Sequence, residues 1–310
     1  MIERLLKYLD ASTCNFLAAD TISKALDANG FERLNPADAW QLRPGDRRYV
    51  VKNGSAVFAF IVGSKDPAET GFRIISAHSD SPCFKIKPNA EIYGDGGVVT
   101  LNVEKYGGGI LYTWFDRPLS ISGRVMLRGK DALHPETRLI DMKRPVAFIP
   151  HLAIHFNRAV NEGNKLSVQK DMKPVMGYFT PEQIEEQKAN GGIVKMTVAA
   201  ELGIKPEEIL EYELCFYPLE PSGLAGVNNE YFQSARIDDL SMAFAALEAL
   251  LQQAGTAADA TRVMAIFDNE ETGSGTKQGA HSPVLRSMLE RLCACAGGDA
   301  QSFFRAVDRS

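Results

Sequence analysis

The sequence is poor in cysteine, lacks any long apolar run and carries no excess of basic charge, and each absence closes off a class of protein. Its five cysteines, Cys14, Cys83, Cys215, Cys293 and Cys295, are an odd number with no CxxC spacing. That usage suits reduced thiols in a cytoplasm better than a disulfide framework. No run of about 18 apolar residues occurs, and the N-terminal MIERLLKYLDAS reads as an amphipathic helix with acidic residues, unlike a basic region followed by an apolar one. Neither a membrane span nor a leader is expected. With 34 basic against 39 acidic residues the net charge is −5, so the Lys and Arg surplus of a nucleic-acid binder is missing. Small molecules, peptides or proteins are the expected partners, with no nucleic acid and no membrane.

What is present suits a globular chain of about two domains: 310 residues, 45% hydrophobic and 24% charged, enough to bury a sizeable core. Apolar residues recur at helical spacing from Ile2 to about Asn29, with Ser12 and Thr13 as candidate N-caps and Gly30 as a stop. RRYVVKNGSAVFAFIVG predicts two strands joined at Asn53-Gly54 by a two-residue hairpin turn. GFRIISAH, Gly71 to His78, predicts a buried strand that delivers a histidine to a loop. From about Glu91 to Pro221 the texture changes to strand-like stretches and glycine clusters, with brief helical signals near Pro181 to Lys188 and Pro206 to Leu210. Helix and strand alternation then returns: Asp238 to Gln253 helical, Arg262 to Phe267 a buried strand, Pro283 to Ala296 helical. The expectation is one α/β domain in two parts, 1–90 and 222–310, interrupted by an inserted, mostly β domain at 91–221. There are no repeats and no low-complexity linkers.

Three constellations could carry chemistry. At the end of the strand stands Ala77-His78-Ser79-Asp80, where residues i and i+2 of an extended chain face one side. His78 could ligate a metal while Asp80 orients a ring or a ligand; a loop histidine beside an N-capping aspartate is the plainer alternative. In Ser234-Ala235-Arg236-Ile237-Asp238-Asp239-Leu240, two carboxylates open a long apolar helix. N-capping accounts for one of them, and the other could bridge two cations through its two oxygens. Phe267-Asp268-Asn269-Glu270-Glu271-Thr272-Gly273 follows a buried strand, where adjacent carboxylates repel unless a cation or a shared proton relieves them. That suggests divided labour, one glutamate binding metal and its neighbour acting as general base on a water the metal acidifies. His151 and His155 lie four apart, a spacing that on a helix would form a metal pair, but such histidines more often pack or hydrogen-bond.

Taken in order, GFERLNPADAWQLRPGDRRYVVKNGSAVFAFIVG, SAHSDSPCFKIKP, VEKYGGGILYTWFDRPLSISGRV, IPHLAIH, SARIDDL and FDNEETGSGTKQGA resemble the M18 family of metalloaminopeptidases, the aspartyl aminopeptidases and their relatives, across essentially the whole chain. The resemblance implies a zinc-exopeptidase-type α/β domain interrupted by an inserted, mostly β dimerisation domain. It also implies two zinc ions per active site, with other divalent metals as alternatives, and a large homo-oligomer such as a dodecamer built from dimers. By the match, His78 resembles a ligand of one zinc, Asp238 the aspartate bridging both, Glu271 a ligand of the other and Glu270 the general base. Asp80 would support the ligands, Asp239 stands where relatives often have asparagine, and His155 matches a histidine that assists substrate binding from a neighbouring subunit.

The implied activity is removal of a single N-terminal residue, Asp or Glu or else an apolar one, from peptides in the cytoplasm. One departure stands out: relatives supply a further aspartate and a late histidine to the metals, and after Glu271 only Asp299, Asp308 and His281 remain, none in a matching motif. The chain therefore looks like a C-terminally truncated member, and weak metal binding with slow turnover is expected, since zinc normally takes about three or four protein ligands. The alternative from another class is a non-catalytic assembly or interaction protein on the same fold.

Overall fold

Two helices open the chain, α1 (Ile2–Ala11) and α2 (Asn15–Ala28), in a computed structural model that describes residues 1–310. The expected caps do not act as such: Ser12 terminates α1, Thr13 is buried beside it, and Cys14 occupies the N-cap of α2, where its side chain makes no capping hydrogen bond. Gly30, at φ +74°, ends the helical run as expected.

Four strands follow, β1 (Glu32–Arg33), β2 (Arg47–Lys52), β3 (Ala56–Ile61) and, after the short α3 (Pro67–Thr70), β4 (Phe72–His78). The β2–β3 hairpin forms with Asn53 and Gly54 both at positive φ, but Lys52 pairs with Ala56, so the loop holds three residues and not two. Its third, Ser55, is fully buried.

The chain then enters β5 (Cys83–Tyr93), β6 (Val98–Tyr106), β7 (Leu119–Asp131), β8 (His134–Asp141), α4 (Val168–Asp171), β9 (Val175–Tyr178), α5 (Pro181–Ala189), α6 (Ile193–Leu202) and β10 (Ile209–Pro218). It returns through a ribbon of β11 (Gly223–Ala225) and β12 (Tyr231–Gln233), then α7 (Ile237–Gln252), β13 (Thr261–Phe267), α8 (Val284–Cys295) and α9 (Ala300–Asp308). Two compact units result, Met1–Ser81 with Ser222–Ser310, and Pro82–Pro221. The first change of unit thus falls just before β5, which belongs whole to the second sheet, where sequence texture placed it at 90/91. No helix is long and apolar enough to cross a membrane.

In the Pro82–Pro221 unit the sheet runs β8-β7-β10-β5-β6-β9, antiparallel throughout. Its core gathers Phe84, Leu101, Leu119, Ile121, Ile149 and Phe216, against which α6 lays Val194 and Val198.

The other unit is an α/β layer structure with sheet order β1-β2-β3-β13-β4, β13 being parallel to β4 and antiparallel to β3. Strand alternation divides the core cleanly. Val57, Ala59, Ile61, Met264 and Ile266 face α1, α2 and α7, while Ala56, Phe58, Phe60, Val263, Ala265 and Phe267 face α8 and α9. β4 departs from the buried strand its sequence predicts. It is an edge strand, with Ile74 and Ile75 40% and 41% exposed, because apolar composition marks a strand as sheet-forming without saying which neighbour it has. The register Phe267↔His78 brings the ends of β13 and β4 together, so the chain leaves both strands at one point.

Candidate metal centre

The parallel pairing of β4 and β13 places the loop that follows His78 beside the loop that follows Phe267. Ser79 fastens the two: its backbone N–H donates to the Phe267 carbonyl at 2.9 Å, and its buried hydroxyl donates to the carbonyls of Ser55 and Phe267. Asp80, 2% exposed, ties them more tightly. Its Oδ1 accepts the Glu270 N–H at 3.2 Å and its Oδ2 accepts the Glu271 N–H at 3.1 Å. The same carboxylate lies 3.2 Å from His78 Nδ1, which is also 3.1 Å from the Asp80 carbonyl oxygen. Both neighbours of Nδ1 are acceptors, so Nδ1 carries a hydrogen, and in the neutral ring Nε2 presents its lone pair.

Nε2 faces carboxylates. Nε2 is 3.4 Å from Asp238 Oδ1, 3.8 Å from Glu270 Oε2 and 3.9 Å from Asp239 Oδ2. The two aspartates arrive because α7 begins irregularly: Arg236 is left-handed, Asp238 and Asp239 have non-helical dihedrals, and the peptide between them is cis. Neither caps the helix, contrary to the capping alternative. Asp239 accepts the backbone N–H of His78 at 3.2 Å, and the Asp238 side chain is left 85% exposed at the mouth of the cluster. Glu270 and Glu271 lie on a single 3-10 turn (Glu270–Thr272).

The charges are poorly balanced without a cation. Burial, and after it the charges of Asp238 and Glu270, pushes the Asp239 carboxyl up against the opposing pull of the His78 N–H and imidazole. Burial alone would lower the His78 imidazole, but hydrogen bonding and charge from Asp80, with Asp239 behind, raise it to about 9. The site therefore favours positive charge at Nε2, whether proton or metal. A donor set of one imidazole nitrogen and several carboxylate oxygens suits zinc and similar divalent ions. No three His, Cys, Asp or Glu side chains stand in ready ligating geometry, so these groups are neighbours that a cation would draw in and not a preformed cage.

The structure thus brings together His78, Asp80, Asp238, Asp239 and Glu270 by side chain, and Glu271 through its backbone bond to Asp80. His155 is not among them: it lies in an exposed turn of the Pro82–Pro221 unit. That turn is not helical, so the four-residue spacing from His151 makes no metal pair there; His151 instead packs on Phe115, ring centroids 4.6 Å apart.

Sequence reasoning missed Asn269. At φ +63° it turns the chain out of β13, and its buried side-chain oxygen accepts from Thr276 Oγ1 at 2.8 Å and Gln278 Nε2 at 2.9 Å, shaping the loop that carries both glutamates. An asparagine wedged between a strand and Glu-Glu was the available signal, since Asn tolerates left-handed backbone.

Removing the Asp80 carboxylate strands the Glu270 and Glu271 N–H groups and leaves the His78 Nδ1–H only the Asp80 backbone carbonyl. Asp80→Ala is expected to lower unfolding free energy by about 3 kcal/mol in urea denaturation. A loss under about 0.5 kcal/mol would show that Asp80 does not clamp these loops.

Comparison with known proteins shows the family of the chain. The family of Aminopeptidase I zinc metalloproteases (M18) matches residues 8–310. The chain is 44% identical over 308 residues to the probable M18 family aminopeptidase 2 of Clostridium acetobutylicum, covering 99% of this chain and 70% of that protein. It superposes on a chain in the cryo-EM structure of the Ape4 and Nbr1 complex with TM-score 0.91 and 32% identity, covering 98% of this chain and 61% of that one. The S. cerevisiae mApe1 dodecamer gives TM-score 0.81 at 25% identity, covering 94% of this chain and 66% of that one. The chain therefore spans about two thirds of the length of the proteins it matches.

Proposed function

The chain belongs to the M18 family of zinc metalloproteases, and from that premise we propose that it carries the metal centre of an aminopeptidase, which releases single residues from the free N-terminus of peptides. The observation that carries this reading is the convergence on His78 Nε2 of carboxylates from two distant segments, Asp238 with Asp239 and Glu270.

In this reading His78 and Asp238 would hold one zinc, and Asp238 with Glu271 would hold a second. Bound zinc supplies Lewis acidity that polarises the scissile carbonyl and acidifies water. Asp80 keeps the His78 ring turned so that Nε2 points at Asp238 and Glu270, and holds the Glu271 backbone on its turn. Glu270, whose carboxylate is 58% exposed and 3.8 Å from Nε2, takes the proton of the attacking water and passes it to the leaving amine.

Assembly belongs to the Pro82–Pro221 unit in this proposal. Ile110, Phe148, Leu152, Ile154 and Phe156 are exposed there, an apolar display that a homo-oligomer would cover, and a relative is a dodecamer. His155 sits within this display, which fits a role in assisting substrate binding across an interface. The five free thiols suit a cytoplasmic setting. The relatives are named as aminopeptidases, so the non-catalytic alternative is not favoured.

The test uses the zinc-loaded chain and unblocked peptides beginning with Asp, Glu or Leu, followed by mass spectrometry. Stepwise loss of one N-terminal residue is expected, with N-acetylated copies left intact, and the preferred first residue defines the specificity. Internal cleavage, or equal attack on acetylated peptides, would contradict the proposal.

A further inference from the structure

A cavity in the Met1–Ser81 and Ser222–Ser310 unit, apart from the candidate metal centre, has a chemistry of its own. Its volume is about 320 Å³, and its floor is made by the buried Val50, Phe58 and Met288, with Trp40, Pro36 and Val284 forming apolar walls. This size fits a small organic molecule. None of the residues of the candidate metal centre lines it, and no aspartate or glutamate does so either, in a chain whose net charge is −5.

Three cations do line it, Lys52, Lys277 and Arg291. Lys52, at the end of β2, and Lys277, in the loop before α8, have no ion-pair partner. Arg291 stacks 3.7 Å from the centre of the Trp40 ring and donates to the backbone carbonyls of Pro36 and Asp38, which fixes its guanidinium without neutralising it. The Trp40 indole N–H is itself satisfied by the Asn35 carbonyl at 3.2 Å, Arg291 covers one face of its ring and Phe60 stands 6.0 Å from its centre, so the part of the ring that lines the cavity is apolar. An apolar slot with an aromatic wall, three cations and no anion is complementary to one kind of guest.

The geometry points to a binding site for a small organic carboxylate with a flat apolar body, the body lying against Trp40 over Phe58 and Met288 and the carboxylate meeting Lys52 and Lys277. The inference does not depend on the aminopeptidase reading, since it uses none of the same residues.

The test is a titration of the ¹⁵N-labelled chain with 2-naphthoate, observed at the indole N–H signals of its two tryptophans, Trp40 and Trp114. Saturable movement of the Trp40 signal alone is expected, with uncharged 2-naphthol binding at least about tenfold more weakly. A Lys52→Gln, Lys277→Gln double variant, which alters only side chains at the cavity's edge, should weaken 2-naphthoate about fivefold, as expected for partly exposed charges. The proposal is overturned if Trp40 does not respond, if both indoles move together, if naphthol binds as well as naphthoate, or if the double variant binds undiminished.

Discussion

Zinc affinity is expected to fall by at least about 100-fold when His78 is replaced by alanine, measured by competition with a chromophoric chelator. His78 supplies the one imidazole in the cluster, on a ring held by Asp80 with Nε2 directed at Asp238, Asp239 and Glu270. Without it the remaining donors are carboxylates that must converge against their own repulsion, and hard oxygen donors alone hold zinc less selectively. Loss of the Nδ1–H bond to Asp80 also costs about 1–2 kcal/mol of stability, which urea denaturation would register separately. A purely structural ion-pair cluster predicts the opposite division: the same stability loss with zinc affinity unchanged.

The second large effect concerns Glu270. Changing it to alanine is expected to lower peptidase turnover by about 10²–10⁴-fold relative to the unaltered, zinc-loaded chain, while zinc affinity stays within about threefold. The reason lies in the 3-10 turn that carries both glutamates: Asp80 fixes the backbone N–H of each, but only Glu271 is assigned to the metal, leaving Glu270 free to carry a proton. The matching Glu271→Ala variant should reverse the pattern, losing metal first and activity as a consequence. Equal zinc loss in both variants would mean that the two glutamates are not divided in this way. Unchanged turnover in Glu270→Ala would return the non-catalytic reading to contention.

Local chemistry made much of this legible before any coordinates. Asn53-Gly54 marks its hairpin because both residues accept positive φ, and the apolar runs of β3 and β13 announce strands through composition. The candidate site could be picked out for the same reason, since His78 and the Glu270–Glu271 pair each stand where an apolar run stops at polar residues.

What stayed hidden depended on neighbours distant in sequence. α6 was missed because Ile193, Val194, Thr197 and Val198 are β-branched and the helix has no side-chain N-cap, so only packing against the second sheet makes it helical. The exposure of Ile74 and Ile75 follows from sheet order, which no single strand encodes. Likewise, N-capping accounts in sequence for one of Asp238 and Asp239, yet the start of α7 is irregular and Asp239 accepts the His78 N–H. Asp80, anticipated as a support for one ligand, turns out to hold three groups from two segments at once.

The most direct test is anomalous diffraction at the zinc edge from crystals of the chain soaked in zinc. The account predicts density within coordinating distance of His78 Nε2 and the carboxylates of Asp238 and Glu271, absent in His78→Ala crystals treated identically. Zinc found only elsewhere on the molecule, or undiminished at this position without the imidazole, would contradict it.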